Sequence, residues 1–186
     1  MLPECGFTRA ATPDGAEFTF APSFVRIASL GHPHEIVSIY ADLFGVRAAE
    51  AARYVLTCLC EQDDVIPLVG GIELDPDERE APLVHAGAMP EGEQILIAQH
   101  LMRHGIAGRS TPGGGGGGEY SATFDVAEYV SIARVHLGLS SADAEALSMS
   151  EFHDLMRLKF PDPKQEVPDA DEYEATMAMI KGGRGG

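Results

Sequence analysis

The sequence predicts a mainly α protein with a small N-terminal β-hairpin, arranged as two helical units joined by a polyglycine linker. Apolar residues recur at helical spacing through most of the chain. Pro13-Asp14-Gly15 separates two short segments near the start, which is typical of a hairpin turn. Six consecutive glycines, Gly113 to Gly118, then interrupt the chain. Glycine loses the most backbone entropy on ordering, so such a run favours a flexible tether over a packed element.

The first unit begins with the hairpin, over residues 7–20, and continues with three helices. Ser23 is expected to cap a short helix that ends at Gly31. Pro33 opens a second helix, which ends at Gly45. The third covers about residues 48–61, and its buried stripe is predicted to contain Ala51, Ala52, Val55, Leu56 and Leu59.

Helical periodicity lapses over residues 63–90, where prolines and acidic residues predict an irregular excursion with short strands at 68–74 and 83–86. Glu91 begins another helix, for which Gly105 is the expected C-terminal cap. One face of this helix is predicted to bury Ile95, Ala98, Leu101 and Met102.

Beyond the linker, helix punctuation predicts three short helices. Asp125 and Ser148 each precede a Glu three residues later, the pattern of a capping box, and Ser140 or Ser141 caps the helix between them. The domains are therefore expected to be an N-terminal mainly helical domain, a Gly-rich linker, a three-helix C-terminal domain, and an acidic tail with an amphipathic segment. Their bounds are 1–108, 109–121, 122–161 and 162–186.

Composition and charge narrow the class of function. The 186 residues carry a net charge of −16, and both sides of the glycine run are acidic. Phosphate binding needs clustered Lys and Arg, so a nucleic-acid or anionic-membrane partner is disfavoured. The chain has no long apolar run and its first residues lack signal-peptide features, which predicts a cytoplasmic location. Three cysteines, two of them at Cys58 and Cys60, fit a reducing compartment.

The motifs that carry chemistry are weak. His100 and His104 have the i, i+4 spacing of metal ligands, but Leu101 occupies the position where a zincin has its catalytic glutamate. Cys58 and Cys60 would point about 200° apart on a helix, with Cys60 nearer the core. His32 and His34 suit a helix start, and the glycine run lacks the Lys of a phosphate loop. We therefore predict no catalytic residues, metal or cofactor, and no enzyme activity.

Several segments resemble a family of proteins from siphovirus-type bacteriophages. They are Pro22-Ser23-Phe24, residues 27–37, Ala86 to Pro90, His100 to Gly105 and residues 124–152. The region after the linker also resembles the small helical domain of phage tail assembly chaperones, in Gly138-Leu139-Ser140 and in residues 147–152, Leu-Ser-Met-Ser-Glu-Phe.

The resemblance implies a non-catalytic chaperone or adaptor for virion morphogenesis. Such a protein keeps the helical tape-measure protein soluble and recruits tail-tube subunits through protein–protein interactions. The candidate partner-binding residues are Tyr129, Phe152, Met156, Tyr173, Met177 and Ile180. The last three share an amphipathic stripe that either docks on a partner or packs on its own domain. The alternatives are a structural minor tail or tail-completion protein, and a metal enzyme that uses His100 and His104.

Overall fold

The structure is a computed structural model that describes residues 5–73, 83–108 and 122–161, and helices dominate these ranges. The mainly α class with an N-terminal hairpin is therefore confirmed. The first segment contains β1 Thr8–Ala11, β2 Glu17–Phe20, α1 Phe24–Ala28, α2 Pro33–Asp42, α3 Ala48–Leu59, α4 Ile66–Val69 and β3 Gly71–Glu73. The rest contains β4 Leu83–His85, α5 Glu91–Met102, α6 Val126–Ile132, α7 Ser141–Ala146 and α8 Met149–Lys159. The linker 109–121 and the tail 162–186 lie outside the described residues.

The N-terminal hairpin has the turn that its sequence predicts. Strands β1 and β2 are antiparallel, with Thr8 opposite Phe20, and Gly15 adopts a φ of +92° in the turn between them. A hydrogen bond from the Glu61 amide to the Thr19 carbonyl, at 2.8 Å, fastens β2 to the end of α3. The hairpin thus belongs to the helical core, and Phe20 is fully buried in it.

The centre of the first unit is the packing of α3 against α5. The stripe predicted for α3 is buried throughout, since Ala51, Ala52, Val55, Leu56 and Leu59 are all among the core residues. From α5, Ala98, Leu101 and Met102 are fully buried. Helical periodicity therefore gave the core of both helices.

The excursion after α3 differs from its prediction. Leu68 and Val69 were expected in a strand, but they lie in the short helix α4, and the strand begins only at Gly71. Pro67 suits the first turn of a helix, and the Asp64 carboxylate accepts a hydrogen bond from the Ile66 amide at 3.0 Å. β3 then pairs with β4 in an antiparallel hairpin.

Gly105 is not the C-cap of α5, contrary to the prediction. The helix continues through a π-helical turn, Arg103–Ala107, and ends at Gly108, whose φ is +69°. Gly105 is buried inside this turn because α1 packs directly on it: a Cβ there would lie 2.5 Å from Cδ1 of Ile27. This glycine allows two helices to approach closely.

The helix starts after the linker have the predicted caps at Ser140 and Ser148, whereas Asp125 caps α6 through the Ala127 amide in place of the predicted capping box with Glu128. The Asp125 carboxylate accepts a hydrogen bond from the Ala127 amide, and the Ser140 hydroxyl accepts one from the Asp143 amide. Ser148 and Glu151 form the reciprocal bonds of a capping box. α6 extends into a π-helical turn, Ala133–Leu137, and ends at Gly138 with a left-handed φ of +72°.

One hydrophobic cluster contains residues from both sides of the linker. It includes Phe24 and Leu101 from the first unit and Phe124, Ala133 and Phe152 from the second. The sequence left open whether the two units touch. In the structure they share a core.

We predict opposite effects for two glycine-to-alanine changes in the continuous helix that begins with α5. Gly105→Ala should lower the free energy of unfolding by about 1–3 kcal/mol, because the new methyl overlaps the buried Ile27 side chain. Gly92→Ala should raise it by roughly 0.5–1 kcal/mol, since no atom lies within 4 Å of its Cβ position. Urea unfolding of both variants measures the difference. Equal stabilisation by the two changes would contradict the close contact.

Candidate partner-binding surface

Four aromatic rings form the junction between the two units. Phe24 of α1 lies between Tyr129 of α6 and Phe152 of α8, at ring-centroid distances of 5.9 and 6.0 Å. Tyr129 also stacks on Phe124 at 5.0 Å and meets Phe152 edge to face at 5.7 Å. Burial of such rings removes a large apolar area from water, and each pair adds about 0.5–1.5 kcal/mol. This aromatic junction holds α6 and α8 on the first unit.

Backbone hydrogen bonds reinforce the aromatic junction on two sides. The Phe24 amide donates to the Leu147 carbonyl at 2.8 Å, just before the capping box of α8. The Phe124 amide donates to the Pro33 carbonyl at 2.9 Å, at the start of α2. Both bonds join residues more than 90 positions apart in sequence, so they align the helices as well as hold them together.

A histidine and a serine form a side-chain contact across the same junction. Nδ1 of His104, in the π-helical turn after α5, lies 2.7 Å from Oγ of Ser150, in the first turn of α8. Ser150 is fully buried. The two atoms share a hydrogen bond whose donor depends on the imidazole tautomer. A buried serine beside a histidine contributes here to packing of the units, since the hydroxyl has no exposed surface for a substrate.

His153 of α8 borders the junction too. Its ring packs against Gly108, at the end of the π-helical turn, where a Cβ would overlap Nδ1 and Cε1. His153 keeps much of its surface exposed; partial burial of its ring lowers its pKa, and the nearby Asp154 carboxylate opposes this only in part. The pKa of His100 is lowered by burial and by the Arg103 guanidinium.

The structure places three of the sequence-predicted binding residues inward. Phe152 is only 5% exposed, and Tyr129 is partly buried in the aromatic junction. Met156 packs against the core. The segment that resembles tail chaperones, residues 147–152, therefore supplies a capping box and buried anchors at the junction. Tyr173, Met177 and Ile180 lie outside the described residues.

The far end of the second unit exposes apolar side chains that sequence reasoning missed. Tyr129 lies beside Phe152 near the starts of α6 and α8, and His136 meets Phe160 edge to face at 5.7 Å near their ends. The two helices therefore run parallel, and both end on the side away from the aromatic junction. Four large side chains are exposed there, which we call the distal patch: Val135, 77%; Leu155, 37%; Leu158, 79%; and Phe160, 51%.

Basic residues neighbour those of the distal patch in the sequence of an otherwise acidic protein. Residues 122–161 contain three basic residues, Arg134, Arg157 and Lys159, and all three lie in the last turns of these two helices. Such positions also favour cations through the helix dipole. Arg157 pairs with Asp154 at 2.9 Å, whereas within the described ranges Arg134 and Lys159 form no ion pair. An i, i+3 spacing of Leu155 and Leu158 could have indicated this face from sequence.

A polar groove of about 540 Å³ lies between α2 and α3 in the first unit. The Tyr54 hydroxyl donates to the Leu30 carbonyl at 3.0 Å along its wall. Arg47, also in the wall, pairs with Asp42 at 3.4 Å. Two of the polar side chains in the groove wall, Tyr54 and Arg47, thus bond to neighbouring groups of the chain. The residues that line the groove do not indicate a particular class of ligand.

Cysteines and histidines of the first unit do not combine into a chemical centre. Burial raises the pKa of the Cys58 and Cys60 thiols, which keeps them in the less nucleophilic protonated form. Cys60, which directly follows α3, is buried, as predicted. Rings of His100 and His104 lie 4.6 Å apart, but no group of three potential metal ligands occurs in the described part of the chain. Within that part, none of the helices has both the length and the apolarity to cross a bilayer.

Truncation of Phe152 should destabilise the whole chain. We expect Phe152→Ala to cost about 3–5 kcal/mol of unfolding free energy, because the change leaves a cavity among three rings. Leu158→Ala on the same helix should stay within about 0.5 kcal/mol, since that side chain faces solvent. Urea titration followed by circular dichroism measures both. Comparable losses in the two variants would refute the inward placement of Phe152.

The contribution of His153 to stability should decrease as the pH falls from 7.5 to 5.5, and it should be small because this residue keeps much of its surface exposed. Partial burial holds the pKa of His153 below its ordinary value of 6.5, so this side chain binds more protons in the unfolded chain than in the folded one. The contribution of His153 to the free energy of unfolding is complete above the pKa that this residue has in the unfolded chain. It is lost as the pH falls through the pKa that the residue has in the folded chain. Urea midpoints measured across this range should show a smaller slope for His153→Gln than for the unchanged chain. Leu158→Gln provides the control on the same helix and should keep the original slope; a slope unchanged in His153→Gln would exclude His153 as the cause.

Comparison with known proteins places both units in one family. The model of DUF6246, a family of unknown function, matches residues 43–175, which is more than half of the chain. This match extends from the end of α2 past the linker and beyond α8. No curated protein and no solved structure matches the chain significantly. The chain belongs to the DUF6246 family.

Proposed function

We propose that the chain is a non-catalytic assembly adaptor of the tail-assembly-chaperone type, which binds a tape-measure protein and brings tail-tube subunits to it. The observation that carries the proposal is the distal patch. Val135, Leu158 and Phe160 are large apolar side chains that remain at least half exposed at one end of the second unit. Contiguous exposed apolar residues with a polar rim are typical of protein-binding surfaces.

The shape and position of the distal patch suit a helical partner. Leu155 and Leu158 lie one turn apart on α8, and Phe160 follows directly after the end of that helix. An amphipathic helix binds such a face through apolar residues at i, i+3, i+4 and i+7. A tape-measure protein is long and helical, as the family resemblance implies, and presents such stripes repeatedly.

Two further properties support an adaptor. The net charge of −16 favours solubility of a complex with an apolar partner. Buried rings fix the second unit on the first, so the distal patch has a defined orientation relative to the first unit. A tail-tube subunit that binds another surface of the chain would then be held near the bound tape-measure protein at high effective concentration.

A negative charge in the distal patch should weaken capture of the tape-measure protein encoded in the same genome. We expect Leu158→Glu to weaken binding at least about tenfold, because a carboxylate would be desolvated in the interface. Leu96→Glu is the matched control: Leu96 is an exposed leucine on α5, outside the distal patch. Purified full-length chains and helical tape-measure fragments are compared by isothermal titration calorimetry.

Two kinds of result, one from calorimetry and one from mass spectrometry, would overturn the proposal. The first is equal weakening by both glutamate variants, or an absence of binding by the unchanged chain to any tape-measure fragment. The second is stoichiometric presence of the chain in mature purified particles, measured by mass spectrometry beside the infected-cell lysate, which would indicate a structural tail component.

A further inference from the structure

The distal patch lies where the described chain ends. α8 finishes at Lys159, and Phe160 contributes its ring to the patch immediately before Pro161. Another 25 residues follow, 162–186. Residues 162–168 are seven positions and can span up to about 24 Å, whereas Leu155 to Phe160 covers only about 7.5 Å along the helix. Any residue from 169 onward can therefore reach the whole patch.

The sequence of this following segment complements the distal patch in polarity. Tyr173, Met177 and Ile180 occur at i, i+4 and i+7, which matches the apolar character of Val135 and Leu158. Leu155 and Leu158 are both exposed, so within the described residues their side chains are accessible to such a stripe.

Charge complements the distal patch as well. Between Asp162 and Glu174 the sequence has six acidic residues and a single lysine. Arg134 directly precedes Val135 in the sequence and Lys159 directly precedes Phe160, and neither cation forms an ion pair within the described ranges. Opposite charges at the rim of an apolar contact select the partner and its orientation.

We infer that the distal patch is an intramolecular docking site for the chain's own segment 169–180, with Tyr173, Met177 and Ile180 on its apolar side chains and the acidic residues toward Arg134 and Lys159. Attachment next to the patch gives this segment an effective concentration that a free partner must exceed. The inference rests on the proposed function only in one respect: a tape-measure helix would have to displace the segment from the same surface.

A photo-crosslinker in the full-length chain tests the inference without any partner. We place p-benzoylphenylalanine at Tyr173, irradiate dilute monomeric protein, and map the products by mass spectrometry. The expected crosslinks join residue 173 to residues 134–139 or 155–160 of the same molecule. Ala175, which lies off the i, i+4, i+7 stripe, is the matched control position and should give at least about fivefold fewer such crosslinks.

A second pair of variants ties the crosslink to the distal patch. Leu158→Glu should reduce the crosslink yield from residue 173 at least fivefold, and Leu96→Glu on α5 should leave it unchanged. Crosslinks between two copies, crosslinks to the first unit, or a yield equal to that of position 175 would each overturn the inference. If the crosslinking experiment fails, the proposed binding of a tape-measure protein is still tested independently by calorimetry, because that binding requires only that the distal patch be accessible.

Discussion

Burial of Phe24 is the constraint on which the arrangement of both units depends. Its ring is fully buried and is covered by Tyr129 and Phe152, which come from helices beyond the linker. Removal of those rings would leave α1, a helix of five residues, with an exposed phenylalanine. Such a short helix has little stability of its own. Each unit therefore needs the other, which agrees with a family match that runs across both.

This constraint also determines which surfaces are free. The N-terminal turns of α6 and α8 face the aromatic junction. Their first aromatic residues, Tyr129 and Phe152, therefore pack within the molecule. Because the two helices run parallel, their C-terminal turns must emerge together at the opposite end. There the helix dipoles favour the cations Arg134 and Lys159. Exposed apolar residues and basic residues therefore occur together in these C-terminal turns of an otherwise acidic chain.

The features that could be predicted from the sequence are those that depend on residues close together in the chain. The features that it missed depend on contacts between distant residues. Capping residues such as Ser148 and the buried stripe of α3 were predictable because they depend on residues a few positions apart. Gly105 could not be interpreted correctly, since only the approach of Ile27, 78 positions earlier, shows why a side chain is excluded there. The same limit applies to the candidate site: helical spacing grouped Phe152 with Met156, but burial of Phe152 depends on Phe24.

The segment that suggested a tail chaperone now has a structural explanation. In residues 147–152, Ser148 and Glu151 form the capping box, while Met149 and Phe152 anchor α8 in the core. Proteins that share this segment would share the capping box and the two anchors at the start of α8. Under the proposed function, the partner would be selected by side chains that the junction leaves exposed, among them Val135 and Leu158. The proposal therefore expects those two positions, more than the shared segment, to differ between relatives that bind different partners.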